Sequence, residues 1–218
     1  SKRNQSGSGS AFYVGENIWI TARHVINDCS EVYLKDGSNR KFIEKILIHP
    51  NSDLALFKYN SFDIKNFNIA QKISEKSFSS GYPAGNPGDA ALQLLGFMAM
   101  EARSYNILEK HSIYAVLDKN PRNLLSFGGL SGGPTFDDYG LINGVVVAEF
   151  KRRGLIGAVG LNQINWLIAA SNKEAEFFDK ISKTNENAIK LDKIDKNYKK
   201  IGNELRKSKS VSKIICIA

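Results

Sequence analysis

From Ala11 to about Val159 the chain consists of apolar runs too short for helices, with turn chemistry cutting between them. Ala11-Phe12-Tyr13-Val14 gives way to Gly15-Glu16-Asn17 before Ile18-Trp19-Ile20-Thr21 begins. Glu31-Val32-Tyr33-Leu34 enters a hairpin-like turn at Lys35-Asp36-Gly37-Ser38 and returns as Lys41-Phe42-Ile43. Leu54-Ala55-Leu56-Phe57 and Gly144-Val145-Val146-Val147-Ala148 read as buried strands. A segment punctuated this often predicts an all-β fold, either sandwich or barrel. The dense turn cluster Gly81-Tyr82-Pro83-Ala84-Gly85-Asn86-Pro87-Gly88 reads as a boundary between two halves.

After Leu161 the periodicity changes. Residues 162–170 look like a short helix capped by Asn162. Further on, Leu191, Ile194, Tyr198, Ile201 and Leu205 alternate three and four apart, the spacing of an amphipathic helical stripe. A helix packed on its own domain is the ordinary reading of such a stripe; a partner helix is the other. Ile214-Ile215-Cys216-Ile217 should be buried. The expected organisation is a flexible Ser/Gly-rich lead over residues 1–9, a folded domain over 10–171, and a basic, partly helical extension over 172–218.

The net charge of +8 raises nucleic-acid binding as a function, but its distribution argues against it. Residues 172–218 carry 12 Lys/Arg against 7 Asp/Glu, whereas the first 171 carry 18 against 15. The cations of the tail have only Phe177, Phe178 and Tyr198 among them, which makes a poor stacking platform. No nucleic acid is expected as a partner. Cys29 and Cys216 are too few for a disulfide framework or a cysteine-built zinc site, and could be one bridge or two buried thiols. No run approaches the ~18 apolar residues of a membrane span. The chain opens Ser1-Lys2-Arg3-Asn4 without methionine, so the want of a signal peptide says little about compartment.

Three segments carry chemistry. Gly128-Gly129-Leu130-Ser131-Gly132-Gly133-Pro134 offers a serine on a tight glycine turn. Nucleophilic attack on an amide needs an exposed hydroxyl and backbone N–H groups aimed at the developing oxyanion, here those of Gly129 and Ser131. By itself it could be an ordinary loop. In Trp19-Ile20-Thr21-Ala22-Arg23-His24-Val25 a histidine follows an apolar strand, and could simply be packed in the core. In His49-Pro50-Asn51-Ser52-Asp53-Leu54-Ala55-Leu56 an aspartate opens a strand, a common cap position. The three together, in the order His24, Asp53, Ser131, are not easily explained that way. His49 and His111 lack metal-ligand companions at helical or hairpin spacing and read as surface or packed residues. No metal or other cofactor is implied.

Thr-Ala-x-His-Val, Asp-Leu-Ala-Leu and Gly-x-Ser-Gly-Gly-Pro resemble the three sequence blocks of the chymotrypsin/trypsin superfamily. The gaps are short, 29 residues from His24 to Asp53 and 78 from Asp53 to Ser131. With Gly7-Ser8-Gly9-Ser10-Ala11-Phe12 at the front, the chain is similar to bacterial Deg/HtrA-type proteases more than to digestive trypsins. The resemblance covers about residues 7–171. It implies two six-stranded antiparallel β-barrels, here followed by a C-terminal helical extension. It also implies a serine endopeptidase in which Ser131 attacks, His24 shuttles the proton and Asp53 orients His24. Its partner would be a protein or peptide substrate. The resemblance admits a homo-oligomer and an extracytoplasmic location, periplasmic or secreted.

Departures from the pattern matter. Leu130 stands where trypsins carry the aspartate that pairs with a new amino terminus, so activation by N-terminal cleavage is not expected. The 47 residues after Ser171 are too few for a PDZ domain and do not look like one. The specificity pocket is expected around Leu125, Val146, Val147 and Ala148. With no acidic residue six positions before Ser131, it should take a small or medium apolar side chain, although Glu149 is near. The competing readings are a catalytically silent scaffold that binds peptides or proteins, its oxyanion loop collapsed, and an esterase using the same triad.

Overall fold

The computed structural model describes residues 5–61, 63–173, 187–194 and 196–218. The first run of alternating small and apolar residues becomes β1 (Gly7–Gly15), and Gly15, Glu16 and Asn17 all take left-handed φ to turn it into β2 (Ile18–Ala22). A single helical turn, α1 (Arg23–Ile26), follows β2. Then come β3 (Glu31–Asp36), its hairpin partner β4 (Asn39–Phe42), β5 (Ile46–Ile48) and β6 (Leu54–Lys58). The chain crosses over to β7 (Lys76–Gly81), β8 (Gly88–Ala102), β9 (Ile107–Asn120), β10 (Pro134–Phe136), β11 (Ile142–Phe150) and β12 (Leu155–Val159). It ends in α2 (Leu161–Lys173), α3 (Tyr198–Lys207) and β13 (Val211–Ile217).

The fold is mostly β, in two units. The second is a closed barrel in the order β10-β11-β12-β9-β8-β7. The first, expected as another six-stranded barrel, is a seven-stranded antiparallel sheet in the order β4-β3-β13-β1-β2-β6-β5. The difference lies in β13, which comes from the tail and sits between β3 and β1, with Gly7 opposite Cys216. Its inward residues Val211, Ile214 and Cys216 are fully buried, so the end of the chain is an inner strand and not an appended segment. Likewise Gly7, Ser8 and Gly9, read as part of a flexible lead, already pair with β13. Cys29 and Cys216 form a disulfide, resolving the choice that spacing left open.

The helical stripe is shorter than its periodicity suggests. Tyr198, Ile201 and Leu205 form the buried face of α3, whereas Leu191 and Ile194 precede it in chain without regular structure. There the backbone bonds elsewhere: Ile189 N donates to Asn66 O, and Ile194 N to Asp138 O. Phe177 and Phe178 lie outside the described residues. One continuous apolar core runs from the sheet (Phe12, Trp19, Leu54, Phe57) to the barrel face beneath it (Phe78, Phe136, Val145) and takes in α2 and α3. A smaller cluster (Leu92, Tyr114, Leu130, Ile156) fills the barrel.

Candidate active site

The antiparallel register of β2 on β6 places Ala22 opposite Leu54, so the residues just past that pair, Arg23-His24 and Asp53, meet. The first N–H groups of α1 have no partner within the helix, and Ala22 offers no side-chain cap. Asp53 supplies it from across the sheet. Its carbonyl accepts from Arg23 N at 3.0 Å, and Oδ1 accepts from His24 N at 2.8 Å. The other carboxylate oxygen, Oδ2, lies 2.7 Å from His24 Nδ1. One buried carboxylate thus holds both the backbone and the ring of His24.

The glycine loop is fastened from three sides. Within it, Leu130 N donates to Phe127 O at 2.8 Å and Gly133 N to Leu130 O at 2.8 Å. From β11, Val146 O accepts from Gly132 N at 2.7 Å. From β1, Ser10 N donates to Ser131 O at 2.8 Å and Ser10 Oγ to Gly129 O at 2.9 Å, while Ser10 Oγ also accepts from Tyr82 N at 2.9 Å. The fully buried Leu130 side chain anchors the loop in the barrel cluster, an apolar substitute for an ion pair. Gly129 is required by its φ of 92° and by Tyr82 O, which would lie 2.7 Å from an added Cβ.

The turn cluster around Pro83 is not a boundary between halves. It connects β7 to β8 and lies under this loop, where Ala84 N donates to Gly128 O at 2.5 Å. Because a trans peptide sets C=O and N–H in opposite directions, that bond turns the N–H of Gly129 away from the turn. Among the described residues, neither Gly129 N nor Ser131 N has a hydrogen-bond partner. A cavity of about 560 Å³ opens here, lined by His24, Gly128, Gly129 and Ser131, with Gln5 to Ser8 along one side.

The expected specificity pocket does not assemble as one surface. Leu125 is 84% exposed and lines a separate cavity with Glu149 and Leu155. Val146 points into the barrel cluster and Val147 into the main core, so both side chains serve packing; Ala148 is half-buried. Glu149 holds the segment before Ser131, accepting from Ser126 Oγ at 2.7 Å and Phe127 N at 2.9 Å.

Sequence reading passed over three participants. Ser10 was legible only as part of a Gly/Ser run. The Pro83 turn was legible as a turn, but not as a floor. Glu109 had a signal: β9 buries Ile107, Glu109 and His111 in alternation with exposed Leu108 and Lys110, and two polar residues on a buried face call for partners. Glu109 Oε2 accepts from Ser52 Oγ at 2.6 Å and Oε1 from Asp53 N at 2.9 Å, with His111 Nε2 at 3.2 Å. Burial opposes ionisation of Glu109, but those donors outweigh it and hold the carboxyl below its ordinary range. His49 is buried against Trp166, and its desolvation pushes the imidazole below its usual value.

A family model described as the trypsin-like peptidase domain matches residues 9–145. The chain is 27% identical over 161 residues to Protease Do-like 2, chloroplastic, of Arabidopsis thaliana, which covers 69% of this chain but only 25% of that protein. It thus spans about a quarter of that relative's length. Among solved structures it is similar to the active form of the Rv3671c protease from M. tuberculosis, with 16% identity, TM-score 0.62, and coverage of 74% of this chain and 72% of that one. The MamO protease domain from Magnetospirillum magneticum, apo form, aligns with 18% identity, TM-score 0.55, and coverage of 74% and 93%. Among the described residues no helix is long and apolar enough to cross a membrane.

Proposed function

We propose that this chain, which belongs to the trypsin-like peptidase family, is a serine endopeptidase that hydrolyses peptide bonds through His24, Asp53 and Ser131. The observation that carries the reading is the unspent pair of N–H groups on Gly129 and Ser131, in the cavity where His24 stands braced by Asp53. With Nδ1–H directed at Asp53 Oδ2, the Nε2 of His24 would take the Ser131 proton as Oγ attacks the carbonyl. The tetrahedral oxyanion would be met by Gly129 N–H and Ser131 N–H. The imidazolium, stabilised by Asp53, then protonates the leaving amine. Water repeats the sequence on the acyl-enzyme.

The collapsed-loop alternative, a binding module, requires the Gly128–Gly129 peptide to turn over, which the Ala84 N–H bond to Gly128 O opposes. The preference for a small or medium apolar residue before the scissile bond rests on the want of an acidic residue six positions before Ser131, and the nearby Glu149 carboxylate is engaged by Ser126 Oγ and Phe127 N. Protein or peptide is the substrate class. The test is labelling with a fluorophosphonate, read by intact mass beside Ser131→Ala. Stoichiometric labelling of the unmutated chain alone is expected; no labelling of folded protein would refute the reading. Matched peptide and ester substrates separate a peptidase from an esterase.

A further inference from the structure

The active site is assembled from two units: His24 and Asp53 belong to the sheet, Ser131 to the barrel. Their alignment depends on what fixes one unit against the other at the site. Ser10 does this on the nucleophile side, since a sheet residue bonds the carbonyls of Gly129 and Ser131. On the acid side, Glu109 reaches from barrel strand β9 to the loop that carries Asp53.

We propose that Glu109 is a positioning residue for the triad, a barrel carboxylate that sets the backbone of Asp53 and through it the orientation of His24. The inference rests on the endopeptidase reading above. The geometry is specific. Both carboxylate oxygens are used, Oε2 by Ser52 Oγ and Oε1 by Asp53 N, and Glu109 and Asp53 are 5% and 7% exposed. Asp53 N–H is the donor adjacent to the carboxylate that must hold His24, so a shift there changes the 2.7 Å contact between Asp53 Oδ2 and His24 Nδ1. The groups facing Glu109 are His111 from its own strand, Ser52 and Asp53 from the opposing loop, and His49 beyond them. A glutamate used only for packing would not need to spend both oxygens on two consecutive residues of the acid loop. The site side of Asp53 is thereby tied to the barrel by a charge-assisted acceptor, the stronger class of hydrogen bond.

The experiment compares wild type, Glu109→Gln and Glu109→Ala as full chains. Fluorophosphonate inactivation is measured as a maximal rate and a probe affinity across pH, with thermal unfolding and the low-field proton NMR signal of His24 Nδ1–H. Glu109→Ala should lower the maximal rate about tenfold with probe affinity unchanged, the effect of one lost charged hydrogen bond, and should broaden the His24 signal. Glu109→Gln keeps an acceptor for Asp53 N and should retain most of the rate. Its acid limb should move to lower pH, because a negative charge favouring the imidazolium is gone. Wild-type rate, acid limb and NMR signal in both variants, with only a lower melting temperature, would overturn the proposal. If Glu109→Ala does not fold, the acid limb of Glu109→Gln decides. If wild type is not labelled at all, the endopeptidase reading fails, and the His24 signal in the variants still decides the role of Glu109.

Discussion

Replacing Arg206 by alanine tests how firmly the tail is built into the molecule. Arg206 lies on α3 and reaches the barrel at β8, with Nη1 2.6 Å from Asp89 Oδ1 and Nη2 3.0 Å from Asp89 Oδ2. Nη1 also donates to Gly88 O at 3.1 Å. The side chains are 6% and 0% exposed, and Gly202 on the same helix passes so close to Asp89 that an added Cβ would collide with its carboxylate. Among the described residues, Asn120 Nδ2 at 3.1 Å is the other side-chain donor to Asp89, and a neutral amide does not balance the charge left behind. Breaking a buried pair from one side costs about 3–5 kcal/mol. At about 2–4 °C per kcal/mol for a chain of this size, Arg206→Ala should melt about 6–20 °C lower. Urea denaturation at neutral pH gives the free energy directly. The double variant Arg206→Met/Asp89→Ala should recover most of the loss, since no charge is left stranded. A single-variant cost below about 1 kcal/mol, the range of an exposed pair, would refute the reasoning.

Three further outcomes are expected. Burial holds the His49 imidazole below its ordinary value of 6.5, so the unfolded chain takes up a proton before the folded one does. Stability should therefore fall as pH drops below about 6.5 toward the folded-state value, and His49→Gln should flatten that segment in paired denaturation curves at pH 7.5 and 5.5 (about these values). Gly129→Ala cannot keep a φ of 92° with Tyr82 O at 2.7 Å, so the loop should turn over and fluorophosphonate labelling should slow by about 10²–10³. Truncation after Ser210 removes the buried Val211, Ile214 and Cys216 and exposes two strand edges. The apolar loss alone, about 5 kcal/mol, matches the whole stability of a marginal domain, so the truncated chain should lack cooperative unfolding by circular dichroism.

The residues proposed to carry the chemistry were legible because their surroundings are local in sequence. A tight turn at Ser131 needs glycines beside it, and His24 and Asp53 must each stand at the end of a short apolar strand. The all-β character was legible for the same reason, since turn residues and alternation are properties of neighbours. The specificity pocket was not. Position along the chain relative to Ser131 is all that marks Leu125, Val146, Val147 and Ala148, while barrel closure decides which side chains face out and which pack inward.

What the amino-acid order determined by itself was thus the strands, the glycine loop and the three chemical blocks. Only tertiary structure decided that the last strand inserts between β1 and β3, that Cys29 meets Cys216, and that the turn at Pro83 supports the glycine loop. It also decided that Glu109 stands behind Asp53. The reason is range. Strand and turn preferences act over a few residues, whereas these contacts join positions 44 to 209 apart and exist only once the sheet and barrel have packed.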